Sequence, residues 1–252
     1  MGANIEFSPI PSHDYYEPRV EGWMYISPAY GNMTYWISTD YRKTFAIDIG
    51  ITGYIAPAIK SSAYAFNVEP RYRISDRILL LYHLYYENIL NDIGYVDDVP
   101  DSSGNPDIYF GRRDRQSITN ILEANYMITS KMSIDVRARH YWVLAPYYTF
   151  STLRHDGTLQ PAEYTGDPDV NYNSFNLDLT YIWNFAPGSQ VSVMWKNAIT
   201  TFSNNIEPGY FRDLKQTIIS PASNSFSIRI LYYLDALYFK KKRGGELEMK
   251  TG

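Results

Sequence analysis

Along most of this chain apolar and polar residues alternate with a period of two, the pattern of a strand whose faces meet different surroundings. Between Ser174 and Phe185, the side chains of Phe175, Leu177, Leu179, Tyr181, Trp183 and Phe185 share one face. Ser174, Asn176, Asp178, Thr180 and Asn184 take the other, with Ile182 the one apolar intruder. From Lys131 to Leu144 the same rule sets Met132, Ile134, Val136, Ala138, His140, Trp142 and Leu144 against Ser133, Asp135, Arg137 and Arg139. Phe45–Ile51, Tyr64–Tyr72 and Phe226–Leu234 follow suit.

Read throughout, the alternation predicts strands near 19–28, 32–40, 44–55, 62–73, 77–89, 107–128, 131–149, 171–185, 189–203 and 222–239. Most reach the length of about 9–11 residues that a tilted strand needs to cross a bilayer. The links between them alternate short and long. Tight turns fall near 41–43, 74–76, 129–131 and 186–189, the last at Pro187–Gly188. Longer links rich in Asp, Asn, Gly, Pro and Ser fall at 56–61, 90–106, 150–170 and 204–221, with a short exception at 29–31. Tight periplasmic turns and long outer loops are the asymmetry of outer-membrane barrels. The expectation is therefore an all-β chain: an antiparallel up-and-down transmembrane β-barrel of about ten strands. Residues 1–18 form an N-terminal periplasmic segment, 19–239 the barrel, and 240–252 a polar tail.

Composition agrees. Of 252 residues, 16% are aromatic and 25 are tyrosine, a side chain suited to a boundary between apolar and wet surroundings. No run approaches the roughly 20 apolar residues of a spanning helix, and the N-terminus lacks the form of a secretory signal. The net charge of -4 gives no basis for nucleic-acid binding, and without cysteine there are no disulfides or thiolate metal sites. A soluble β-sandwich or barrel binding an apolar ligand also alternates, and it stays as an alternative.

In a lipid-facing barrel the polar set lines the lumen. Centring one turn on Ser130 sets Glu123 opposite Arg137 and Asn125 opposite Asp135; centring another on Pro187 sets Asp178 opposite Lys196. Opposed unlike charges stabilise a sheet. Glu69, Arg71, His83, Glu87, Arg139 and Arg229 extend the lining. It reads either as a permeation or plug-docking surface or as cross-bracing of a filled interior.

Catalytic signals are thin. His13, His83, His140 and His155 are scattered, and His140 falls on the lipid-facing set. His83 shares a face with Glu87 and could lie across from Asn67, so a membrane-embedded hydrolase at the loop rim is the second alternative. The acidic group Asp92, Asp97, Asp98, Asp101 and Asp107 lacks the spacing of a calcium loop. No catalytic residue, cofactor or metal is assigned, and the chain is read as non-enzymatic. Its expected surroundings are outer-membrane lipid and a periplasmic or surface protein partner.

Asn171–Asn197 (NYNSFNLDLTYIWNFAPGSQVSVMWKN), Ser225–Lys242 (SFSIRILYYLDALYFKKK), Glu21–Tyr30 and Ser38–Phe45 together resemble one family. It is the C-terminal barrel of an uncharacterised Bacteroidota membrane family, domain of unknown function 5916. The most specific match is Trp183, Phe185, Ala186, Pro187, Gly188, Ser189, Trp195, Lys196 and Asn197. The resemblance implies an outer-membrane location and an aromatic terminal strand, here ending at Phe239, that barrel-assembly machinery reads. Members are longer and carry a family-9-like carbohydrate-binding domain that is absent here. The chain therefore reads either as the C-terminal part of such a protein, closing a larger barrel, or as a truncated relative, and glycan binding is not carried over. The expected role is a passage or membrane anchor.

Overall fold

A computed structural model describes residues 1–100, 104–207 and 209–234. The chain is all-β and antiparallel. Ten strands run side by side as a meander: β1 (Gly2–Ser8), β4 (Tyr30–Ser38), β5 (Phe45–Ala56), β6 (Ser61–Ser75), β7 (Ile78–Pro100), β8 (Pro106–Thr129), β9 (Met132–Ala145), β12 (Val170–Ala186), β13 (Ser189–Ser203) and β14 (Ser223–Leu231). β2 (Ser12–Asp14) and β3 (Tyr25–Ser27) form a separate hairpin. β10 (Tyr147–Leu153) pairs with the outer part of β8 and with β11 (Leu159–Ala162). One helix, α1 (Tyr210–Ile219), interrupts the link before β14.

Three expectations change. First, among the described residues β1 and β14 do not pair, so the sheet is open where a closed cylinder was expected. Second, the strand expected at 19–28 shrinks to β3, because Pro18, Arg19 at φ 58° and Gly22 at φ 83° turn the chain away from extension. Its place beside β4 goes to β1, where Ile5 and Phe7 alternate with Asn4 and Glu6. Third, the expected loops 90–106 and 150–170 carry strand: β7 runs to Pro100 and β8 starts at Pro106, while β10 reaches Leu153 and β11 takes Leu159–Ala162. β7 and β8 run on as a ribbon past two bulges, one beside Asn91 at φ 56°. The strand expected over 131–149 breaks at Pro146, which cannot donate to the ladder. The last strand is described as far as Leu231; Phe239, Asp101 and the tail 240–252 lie outside the described residues.

The burial is unusual for an antiparallel sheet. Away from α1 its apolar face is not covered: Ile51 is 58% exposed, Met33 53%, Phe226 74% and Ile228 70%. The cluster of buried apolar residues sits on the ribbon instead. Tyr25, Ile108, Phe110 and Leu153 close it, with Val20, Trp23 and Ile93 packed around them. Phe110 is 1% exposed, and a side chain so buried contributes about 1.5–3 kcal/mol. This small core anchors residues 18–27 over one end of the sheet.

Candidate functional site

Register carries polar groups across one face in rows. One row runs Asp48–Glu69 and on through Ile121–Arg139–Asn176; its neighbour runs Leu81–Glu123–Arg137–Asp178–Lys196. Arg137 Nε lies 2.9 Å from Glu123 Oε1, in the register that a turn centred on Ser130 gives. Asn125 Nδ2 donates to Asp135 at 2.7 Å. Asp178 stands opposite Lys196 along the backbone, but its carboxylate turns the other way: Arg139 Nη2 reaches Asp178 Oδ2 at 2.6 Å. Arg139 is the closer fit because its fork reaches diagonally from the neighbouring strand.

His83 Nδ1 lies 3.0 Å from Glu69 Oε1, while Asn67 stands opposite Tyr85. The expected His83–Asn67 pairing is thus displaced by two residues. Asn67 Nδ2 also donates to Glu69, at 3.1 Å. Glu87 accepts from Arg115 Nη2 and from the Tyr85 hydroxyl, each at 3.1 Å. Arg71 shares a groove of about 380 Å³ with Asp48, Glu69, His83, Glu123 and Arg137. Arg229 lies opposite Ser192. Among the described residues Arg71, Lys196 and Arg229 have no ion-pair partner.

Towards the ribbon end the same face opens into a cavity of about 610 Å³, lined by Glu17, Glu87, Asp92, Arg113, Arg115 and several tyrosines. Arg113 Nε pairs with Asp92 at 2.8 Å and its guanidinium lies over the Tyr147 ring. Glu17 accepts from the Tyr95 backbone N–H at 2.8 Å, which ties residues 12–27 to the cavity rim. Burial against Phe110 pushes the Tyr25 hydroxyl up to about 12. The acidic residues of the ribbon are engaged one by one: Asp98 accepts from the Tyr95 hydroxyl and Asp97 from Tyr164.

The opposite face holds the feature that sequence reading missed. His140, expected to face lipid, does share the apolar face with Trp142, yet α1 covers both. His140 is 5% exposed and Trp142 3%. The Tyr210 hydroxyl lies 3.2 Å from His140 Nδ1 and accepts from Asn120 Nδ2 at 2.8 Å. Asp213 Oδ2 accepts from Trp142 Nε1 and Asn171 Nδ2, each at 3.0 Å. Thr217 and Thr201 hydroxyls meet at 3.1 Å. The usable signal was Tyr210, Asp213 and Thr217 at helical spacing, in a stretch free of Gly and Pro. It is mostly polar, so a search for apolar periodicity passes over it.

His13 lies in β2, and His155 stacks on Trp23 with ring centroids 4.0 Å apart. Every histidine therefore has a structural neighbourhood of its own, with no serine bonded to any of them among the described residues.

The model of one family, described as Domain of unknown function (DUF5916), matches residues 1–243. No curated protein and no solved structure matches the chain. With the match spanning nearly every residue, the chain belongs to the DUF5916 family.

Proposed function

We propose that this sheet is the wall of an outer-membrane β-barrel, a non-enzymatic passage or membrane anchor. One observation carries the reading: the large apolar side chains of one face are left unburied, while most charges on the other face pair with one another. Ile49, Ile51, Phe66 and Tyr64 lie at 36–58% exposure across adjacent strands. In water such a surface is costly, because apolar area loses about 25 cal/mol per Å² by staying wet. In lipid it is the expected exterior. Three ion pairs within the opposite face, with the His83–Glu69 contact beside them, offset the cost of holding charge away from bulk water.

Lipid also requires every backbone polar group to be paired. On this reading the free edges of β1 and β14 are joined in the membrane, to each other or to strands beyond the chain. The charged rows and the rim cavity then line an interior. Its mixed sign favours no single ion, so a plugged wall that anchors a periplasmic or surface partner suits it as well as a passage does.

Extraction of the expressed chain tests the reading. It should need detergent, and the folded form should resist dissociation in mild detergent until heated. A monodisperse chain in plain buffer would overturn it in favour of the soluble barrel. Planar-bilayer conductance then separates the two roles, since a plugged wall conducts nothing.

A further inference from the structure

We propose that α1 is an interfacial helix seated in the outer boundary of the bilayer, with its exposed side in lipid; this rests on the membrane reading above. The helix turns polar residues to the sheet and leaves large apolar ones exposed, beside Arg212, Lys215 and Gln216. Its buried residues are Asp213 and Thr217, at 8% and 0% exposure, and both bond to the sheet. Its exposed residues include Phe211 at 81%, Ile218 at 53% and Ile219 at 66%. A surface helix in water turns its apolar stripe to the core and its polar side out.

The sheet beneath explains this orientation. One row of the apolar face runs Tyr35–Ile51–Phe66–Tyr86–Ile118, then changes at Trp142–Asn173–Thr201. Asn120, His140 and Asn171 flank the change. These polar groups stand on a mostly apolar face, whose other polar members include Asn88, Gln116 and the mutually bonded Asn197 and Asn224, and bare in hydrocarbon each would cost several kcal/mol. Asp213, Thr217 and Tyr210 supply their partners. Around that contact α1 shows Phe211, Ile218 and Ile219 to its surroundings together with Arg212, Lys215 and Gln216, so its exposed surface is amphipathic, as an interfacial position requires.

Depth and direction agree. His140 and Trp142 are the ninth and eleventh residues of β9 counted from its tight turn at Ser130–Lys131, where a strand of about 9–11 residues finishes crossing. Successive contacts pass from Asn120 and His140 for Tyr210, through Trp142 and Asn171 for Asp213, to Thr201 for Thr217. The axis therefore crosses the strands from β8 to β13 and does not run along them. Leu214, Ile218 and Phe211 make one stripe, and exposed Lys215 lies beside it, beyond Phe211. That arrangement suits acyl chains on the stripe and an anionic headgroup at the lysine.

The chain has no cysteine, so single nitroxide labels can be placed at will. The full chain, folded into phosphatidylcholine vesicles, would carry labels through Phe211→Cys, Ile218→Cys, Lys215→Cys, Ile51→Cys and Arg137→Cys, one at a time. Relaxation by oxygen, which concentrates in hydrocarbon, is compared with relaxation by an aqueous nickel chelate. The ratio should be several-fold higher at 211 and 218 than at 215 and 137, and close to that at 51. A lipid value at 51 with aqueous values at 211 and 218 overturns the helix proposal and leaves the barrel standing. Aqueous values at 51 as well overturn both. Shielding of 211 and 218 from both reagents would mean that protein covers α1, for instance a second copy, and would also overturn it.

Discussion

Arg139 and Asp178 form an ion pair at 2.6 Å, although the backbone register sets Asp178 opposite Arg137 on one side and Lys196 on the other. The pair is diagonal. Arg137 is taken by Glu123, which frees Asp178 for the next arginine along β9. Double-mutant cycles should therefore give coupling between Asp178→Asn and Arg139→Gln, and none between Asp178→Asn and Lys196→Gln. With Arg139 41% exposed, the coupling should be about 0.2–1 kcal/mol. Coupling confined to Lys196 would contradict the geometry.

Asp213 is the hinge point of α1 on the sheet. Asp213→Ala leaves the Trp142 indole N–H and the Asn171 amide buried without their acceptor. A buried donor left unpaired costs about 1–3 kcal/mol. Thermal unfolding should fall by that amount and the 204–222 link should become sensitive to protease. Asp213→Asn keeps one acceptor oxygen and should lose less. Equal losses for the two variants would mean that charge, not acceptance, holds the helix.

Gly111 lies where two rings of contacts close on the backbone. A Cβ there would stand 2.4 Å from Tyr147 Cδ1 and 2.7 Å from Val96 Cγ2. Tyr147 cannot simply swing aside, since its ring lies beside Arg113 and its hydroxyl accepts from that guanidinium. Gly111→Ala should cost about 1–3 kcal/mol by overpacking, read as a lower melting temperature. An unchanged melt would show that the ribbon yields freely.

Tyr25 gives a pH prediction outside the wall. Burial raises its hydroxyl to about 12, because the phenolate is poorly solvated beside Phe110. A raised value in the fold means that the tyrosine's contribution is complete below its unfolded value of about 10 and is lost as pH rises towards 12. Melting curves should thus show wild type falling behind Tyr25→Phe as pH rises above about 10. Parallel loss in both proteins would assign the alkaline transition to other tyrosines.

Much of this molecule is decided by local order. The alternation of Phe175 to Phe185 against Ser174 to Asn184 settles that the segment is a strand with unlike faces, since side chains in a strand point to opposite sides in turn. The tight turns follow from Pro187–Gly188 and from the short links at 41–43 and 129–131. With a turn located, pairing across it is arithmetic, so Glu123 opposite Arg137 was legible in the sequence. A ten-strand path runs through the twelve-stranded sheet, with β1 in the place expected for residues 19–28 and β10 and β11 added beside it.

Other features needed three dimensions because they depend on residues far apart in the chain. Periodicity cannot say that Asp178 chooses Arg139 over Lys196, since that choice turns on how far each side chain reaches across the pleat. It cannot say that Tyr25 packs against Phe110 and Leu153, or that β7 runs on to Pro100 and β10 and β11 take up part of 150–170. Above all, alternation assigns His140 to the apolar face, and it does lie there. Whether that face meets surroundings or protein at this point is decided by α1, some seventy residues later, whose polar side meets His140 Nδ1, the Trp142 indole and the Asn171 amide. A pattern of faces specifies which way a side chain points, and only the folded chain specifies what it meets there.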